Sequence, residues 1–282
     1  MRKKYSRLTI TLDNKILNEV DKTVDGLDIL SRSAAIESLL KESLGVGKVK
    51  TAFINAGGVG TRMRPFTYEI PKSLIPVKGK PLIEHILDLL RKYEIKKVII
   101  GLGYKAAMIK EHLGDGAQFG LKISYVIEKK KLGTAGPLKL AEKELRGGPF
   151  LLLWSDVLAN IDLNDFMKEH HEHGGLCTIA LTSVADPSRF GVARLKGNQI
   201  LEFIEKPSPG EEPSNLINSG IAIFEPEILK MISRYKYCMV EKDIYPKLAS
   251  AGKLFGYPFE GQWFDTGTHE AYEQVIKKWK GV

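Results

Sequence analysis

Cysteine is almost missing from this chain. Cys177 and Cys238 are its only two, and they form no motif, so neither a disulfide framework nor a cysteine-rich metal site is available. They read as free thiols of a reducing cytoplasm. No apolar run reaches the ~20 residues that a membrane-spanning helix needs. The basic N-terminus is followed by no apolar core, so no secretory leader is expected. Internal repeats and low-complexity segments are also lacking. So are the two commonest phosphate-loop spacings, G-x-x-x-x-G-K-[ST] and G-x-G-x-x-G. Charge of one sign is not concentrated anywhere: the net +8 divides into +3 over residues 1–50 and +5 over the remainder. A diffuse excess of this kind suits anionic small molecules as well as nucleic acid. With 43% hydrophobic and 27% charged residues over 282 positions, the chain can build one large core, or a large and a small one.

What the sequence does hold is concentrated in Phe53-Ile-Asn-Ala-Gly-Gly-Val-Gly-Thr-Arg-Met-Arg-Pro-Phe-Thr67, followed by Pro71-Lys-Ser-Leu-Ile-Pro76. The apolar run from Thr51 to Ile54 reads as a buried strand that breaks into a glycine-rich loop. Ala56, Gly57, Gly58 and Gly60 leave backbone amides open to an approaching anion. Thr61, Arg62 and Arg64 add donors, and Lys72 brings a second cation on a loop stiffened by prolines. A glycine turn after a strand is often only a tight connection. The clustered cations turn this one into a candidate phosphate cradle.

From Thr51 onward, apolar strands alternate with amphipathic helices. Helices are expected at Lys80–Tyr93 and Ala106–Leu113. Buried strands are expected at Lys97–Gly101, Ile123–Ile127 and Phe150–Trp154, and shorter ones at 178–182, 191–194, 200–205 and 221–224. This pattern predicts an α/β fold, a doubly wound and mostly parallel sheet with its ligand at the carboxyl ends of the strands. His170, His171 and His173 lack a partner ligand elsewhere and read as a solvated helix end.

The first fifty residues follow a different logic. Arg7-Leu-Thr-Ile-Thr-Leu12 alternates strictly, as a strand with one apolar face does. Asp13 is a candidate N-cap for a helix bearing Ile16, Leu17 and Val20. Ser31 or Ser33 caps a second helix that ends at Gly45. One strand and two helices cannot close a core alone, and a single strand needs a partner. The expected organisation is a β-α-α module at 1–46, a linker at 47–50, and one domain at 51–282.

The motif G-G-x-G-T-R-x-R-P-x-T with P-K-x-L-x-P resembles the signature of the sugar-phosphate nucleotidyltransferases, or NDP-sugar pyrophosphorylases. Leu132-Gly-Thr-Ala-Gly-Pro-Leu138, Trp154-Ser-Asp-Val157, Glu205-Lys-Pro207, Asn218-Ser-Gly220 and Trp263-Phe-Asp-Thr-Gly-Thr268 follow in that family's order. The resemblance implies attack by a sugar-1-phosphate oxygen on the α-phosphorus of a nucleoside triphosphate, with release of pyrophosphate. It implies Mg²⁺ held by Asp156 and Asp265, with Arg62 and Lys72 as catalytic cations. Gly133 and Thr134 would join residues 56–62 around the nucleotide, and Glu205, Lys206 and Asn218 would hold the sugar phosphate. Asp186-Pro-Ser-Arg-Phe-Gly191 and Val240-Glu-Lys-Asp-Ile-Tyr-Pro246 are most similar to the mannose-1-phosphate guanylyltransferases. A glucose-1-phosphate thymidylyl- or uridylyltransferase is the alternative. Glu128 followed by three lysines departs from many guanylyltransferases, where acidic residues precede Leu-Gly-Thr-Ala-Gly. The N-terminal module resembles the ribbon–helix–helix fold. That implies a homodimer paired through the 7–12 strand, with Arg7, Thr9 and Thr11 facing DNA and Arg2, Lys3 and Lys4 near phosphates. A regulator of this kind, sensing a nucleotide sugar without turning it over, is the reading from another class. The expected location is cytoplasmic, with no membrane contact.

Overall fold

The computed structural model describes residues 7–26, 29–44 and 48–282. Contacts divide the chain into two units, 1–48 and 49–282.

In the larger unit, runs of apolar residues become strands buried on both faces. Strands β1 (Thr51–Ala56), β2 (Lys97–Leu102), β3 (Lys122–Ile127) and β4 (Phe150–Trp154) pair in parallel in the order β3-β2-β1-β4. In β1, Ala52, Ile54 and Ala56 pack into the core on one face of the sheet and Phe53 into the core on the other. Such two-sided burial explains why the run is continuous rather than alternating. Helix α3 (Leu82–Lys92) lays Leu82, Ile83, Ile86, Leu87 and Leu90 onto the sheet, and α4 (Ala106–Leu113) occupies the span that its periodicity predicts. In the small unit, α1 is Asn14–Lys22 and α2 is Arg32–Leu44.

The sheet is nine-stranded, and its other half departs from the expected parallel pattern. Strands β5 (Cys177–Ser183), β6 (Gly191–Lys196), β7 (Gln199–Glu205), β8 (Leu216–Phe224) and β9 (Leu254–Pro258) complete the order β3-β2-β1-β4-β8-β5-β9-β7-β6. There β8 runs antiparallel to both β4 and β5, and only β9 with β5 is a parallel pair. The reason is local. Gly197 and Asn198 alone separate β6 from β7, and a two-residue connection can join only antiparallel strands. The sheet is therefore parallel on one side and mixed on the other.

Helix α5 (Leu163–His173) starts at Asp162, whose side chain accepts from the amides of Asn164 and Asp165. His170 corrects the solvated-end expectation: it is buried, its Nδ1 lies 2.8 Å from Thr178 Oγ1 and its Nε2 3.4 Å from Glu225 Oε1. Helix α6 (His269–Lys278), capped by Thr268, delivers Trp279 into the core, with its Nε1–H pointing at His85 Nδ1. Among the described residues, no helix is long and apolar enough to cross a membrane.

In the small unit, α1 (Asn14–Lys22) begins at Asp13, which accepts from the Lys15 amide at 2.7 Å. Helix α2 (Arg32–Leu44) begins at Ser31, whose Oγ accepts from Ala34 N. The Arg32 guanidinium forks onto both carboxylate oxygens of Asp21, joining the two helices, and Val20 and Ala35 are buried. The predicted strand is not formed: residues 7–12 join no ladder among the described residues, and Leu8 and Ile10 are 80% and 47% exposed. A strand without a partner has nowhere to place its backbone hydrogen bonds. Arg7, Thr9 and Thr11 are exposed on this stretch. Val49, within the expected 47–50 linker, packs in the large core. Arg2, Lys3, Lys4 and the 45–47 segment lie outside the described residues.

Candidate active site

Strand β1 ends in the glycine loop. The loop closes on itself where the Gly60 carbonyl accepts from the Met63 amide and from Thr67 Oγ1, both at 2.9 Å. Gly60 sits at φ +67°, and a Cβ there would lie 2.8 Å from the Thr67 methyl. The loop walls a cavity of ≈ 450 Å³. All the residues expected around the nucleotide line it: Ala56, Gly57, Gly58, Gly60, Thr61, Arg62, Gly133 and Thr134. Lys72 and Asp156 are on the same wall. An adjoining cavity of ≈ 280 Å³ brings together Glu205, Lys206 and Asn218. Arg62, Thr134, Trp154 and Asp156 belong to both cavities, so they stand at the junction.

The two aspartates, more than 100 positions apart in the chain, are brought together by one short ladder. Trp263–Asp265 pairs antiparallel with Val157–Ala159, setting Asp265 opposite Val157. The Asp156 carbonyl also accepts from both the amide and the hydroxyl of Thr266. Burial, then the nearby Asp156 charge, push the Asp265 carboxyl above its usual range, and Lys72 and Arg62 oppose that rise. Lys72 Nζ meets Asp156 Oδ2 at 2.5 Å, with the lysine side chain only 11% exposed. Gly267 keeps this corner open, since a Cβ there would lie 2.8 Å from both Arg62 Nη2 and Asp265 Oδ1. Two oxygen donors with repelling charges at one junction fit a hard divalent cation. Among the described residues no cluster of three or more metal-ligating side chains accompanies them, so water and substrate oxygens would complete the shell.

Three further groups were not singled out as site residues from the sequence. Glu128 lines the larger cavity, accepts from the Leu132 amide at 2.8 Å, and is raised by burial. Lys131, from the lysine run, reaches the same wall. Glu241 lines the smaller cavity and is raised chiefly by burial. Glu205 beside it is also raised by burial, against the lowering charges of Lys206 and Lys242. Glu241 lies within a motif whose likeness to known sequences was visible, but its inward direction was not.

A doubly wound α/β protein whose glycine loop walls one cavity abutting a second is what fold and site define. Residues 51–280 match the profile of the Nucleotidyl transferase family, and the chain belongs to that family. It is 38% identical over 221 residues to the mannose-1-phosphate guanylyltransferase catalytic subunit beta of Danio rerio, covering 77% of this chain and 61% of the relative. To the same subunit of Dictyostelium discoideum it is 39% identical over 220 residues, covering 77% and 60%. The chain thus spans about three fifths of the length of these relatives. A crystal structure from Bacillus anthracis, assigned as a glucose-1-phosphate thymidylyltransferase and holding a sucrose, superposes with a TM-score of 0.75 at 28% identity. It covers 81% of this chain and 94% of that one.

Proposed function

We propose that the chain is a sugar-1-phosphate nucleotidyltransferase that moves the guanylyl group of GTP to mannose-1-phosphate. In this reaction an oxygen of the sugar phosphate forms a bond to the α-phosphorus, the bond from that phosphorus to the bridging oxygen breaks, and pyrophosphate leaves. The observation that carries the reading is the pair of cavities meeting at Arg62, Thr134 and Asp156. A triphosphate on the glycine loop and a sugar phosphate beside Lys206 would meet there. Both reactants are anions, so the protein's task is alignment and charge neutralisation. Arg62 reaches both cavities and would hold the phosphates from the junction. Lys72 would hold the α-phosphate, exchanging its contact with Asp156 for one with substrate. Glu205 and Asn218 would accept from and donate to sugar hydroxyls. Asp156 and Asp265 would hold Mg²⁺, which would supply charge neutralisation at the phosphates.

The names of the relatives support GTP and mannose-1-phosphate over the alternative, a thymidylyl- or uridylyltransferase acting on glucose-1-phosphate. Pyrophosphate release measured across four nucleoside triphosphates and a panel of sugar-1-phosphates separates the two. Fastest release with GTP and mannose-1-phosphate, lost on chelation of Mg²⁺, is the expected result. Fastest release with dTTP or UTP and glucose-1-phosphate would replace this reading with the alternative. Silence with every pair would leave the sensor.

The small unit supports self-association. Leu8, Ile10 and Ile16 are exposed, and the 7–12 stretch has the alternation of a strand but no ladder partner. A second copy of the same stretch would supply the missing ladder and cover the apolar side chains. Light scattering on the eluting protein is expected to give twice the 31.4 kDa chain mass, and Ile10→Asp to return it to the monomer mass. A wild-type monomer would sink this part of the proposal.

A further inference from the structure

We propose that Glu241 is a positioning residue: it latches the nucleotide-side loop Leu132–Gly136 to the sugar side through the Thr134 hydroxyl, and nucleotide affinity depends on that latch. This rests on the enzyme reading above and assigns a role to a residue outside the phosphate loop.

Thr134 lines both cavities, whereas Glu241 lines only the smaller one. Thr134 Oγ1 accepts from the Val240 amide at 2.8 Å and lies 2.5 Å from Glu241 Oε2. A hydroxyl has a single proton, and the amide needs none of it, so Thr134 donates to the carboxylate. On its other side, the Thr134 carbonyl accepts from Asn55 Nδ2 at 2.9 Å, one residue short of the end of β1. The rest of the loop is laced to the same segment. The Cys238 amide donates to the Leu132 carbonyl and the Ala135 amide to the Cys238 carbonyl, both at 2.9 Å. Thr134 is thus held between the strand that presents the phosphate loop and the segment that walls the sugar side.

Glu241 is placed at some cost. It is 7% exposed, and burial raises its carboxyl; the Thr134 hydroxyl opposes that rise most, followed by its own backbone amide and, least, the Lys206 charge. A buried carboxyl is costly unless hydrogen bonds and opposite charge compensate it. It sits in a single turn of π-helix, Val240–Ile244, in which Val240, Glu241 and Ile244 are all buried. An apolar side chain would fill the same volume without that cost. What the carboxylate adds is an acceptor for Thr134, and with it a fixed backbone at Gly133 and Thr134 beneath the nucleotide.

The test measures GTP binding by titration calorimetry, with KM for GTP and for mannose-1-phosphate alongside, in E241A, E241Q, T134V, T134S and the double variant E241A/T134V. E241A and T134V are each expected to weaken GTP binding by about ten-fold, the effect of one hydrogen bond to a charged group. E241Q, which keeps an acceptor, is expected to bind GTP more tightly than E241A, and T134S, which keeps a hydroxyl, more tightly than T134V. Because one interaction is removed twice, the double variant is expected to be no weaker than either single one. Effects that multiply in the double variant would overturn the latch. So would E241A changing only the KM for mannose-1-phosphate. T134V removes the hydroxyl and T134S keeps it, so their comparison survives if E241A fails to fold. Wild-type protein that binds GTP without releasing pyrophosphate would overturn the enzyme reading alone, while no GTP binding at all would overturn both.

Discussion

Asp265→Asn is expected to lower pyrophosphate release by more than ~10²-fold, the scale on which removing one group that stabilises transition-state charge is felt. Its melting temperature should nevertheless hold or rise. The two halves of that expectation have one cause. Asp265 is buried beside Asp156, and both facts favour its protonated form. A carboxyl whose folded pKa lies above its unfolded value binds its proton more tightly when folded. It therefore lends stability at low pH and withdraws it as the pH rises through the folded pKa. At neutral pH the ionised group is a cost, and Asn keeps the shape while removing the charge. Asp156→Asn should abolish turnover as well, but with the opposite effect on stability. Lys72, 11% exposed, would lose the carboxylate 2.5 Å away and remain as a poorly solvated cation. Thermal melts of the two variants, read with the pyrophosphate assay, check the account. Retained turnover in both would sink the metal assignment. A clear fall in the melting temperature of Asp265→Asn would sink the argument that its charge is a cost.

The half of the fold that carries the glycine loop was legible because burial there follows a period. Leu82, Ile83, Ile86, Leu87 and Leu90 recur at helical spacing, and β1, β2 and β4 are short apolar runs bounded by turns. Strand direction is not written in such a run. Ile221–Phe224 reads identically whether it enters parallel or antiparallel, and only its pairing with Leu153–Phe150 decides. The 7–12 stretch shows a second limit: alternation marks which side chains share a face, but a ladder needs a partner that one chain does not provide. The candidate site was legible wherever chemistry required an unusual residue pattern, as with the glycines and cations of 57–72. It was not legible where an ordinary charged residue turns inward. Glu241 sits in Val-Glu-Lys-Asp, which has the composition of a solvated turn, and only the π-turn at 240–244 buries it. His170 was misread for the same reason. It lies among Lys168, Glu169, His171, Glu172 and His173 in sequence, yet its Nδ1 is 2.8 Å from Thr178 Oγ1.

Gly133→Ala is expected to damage both stability and nucleotide binding, and Gly58→Ala only the second. Gly133 sits at φ +80°, where a side chain costs about 1–2 kcal/mol from backbone sterics alone. The added Cβ would also fall 2.3 Å from the Cys238 carbonyl oxygen, well inside contact distance. That carbonyl cannot easily retreat, because it accepts from the Ala135 amide two residues further along the same loop. Relief must therefore come from the loop itself, which carries Thr134 to the junction of the two cavities. Gly58 presents the opposite case: its φ is unexceptional, and a Cβ there would meet nothing within 4 Å. Stability should stay within ~0.5 kcal/mol, as for a substitution away from packed groups. The methyl would instead project from the loop that lines the phosphate cavity and hold the anion off its amides, so KM for the nucleotide should rise. Urea denaturation and nucleotide KM on the same two variants separate the roles. If Gly133→Ala unfolds with wild-type stability, the loop is freer than its contacts with Cys238 require. If Gly58→Ala binds nucleotide as the wild type does, the phosphates do not rest on this turn.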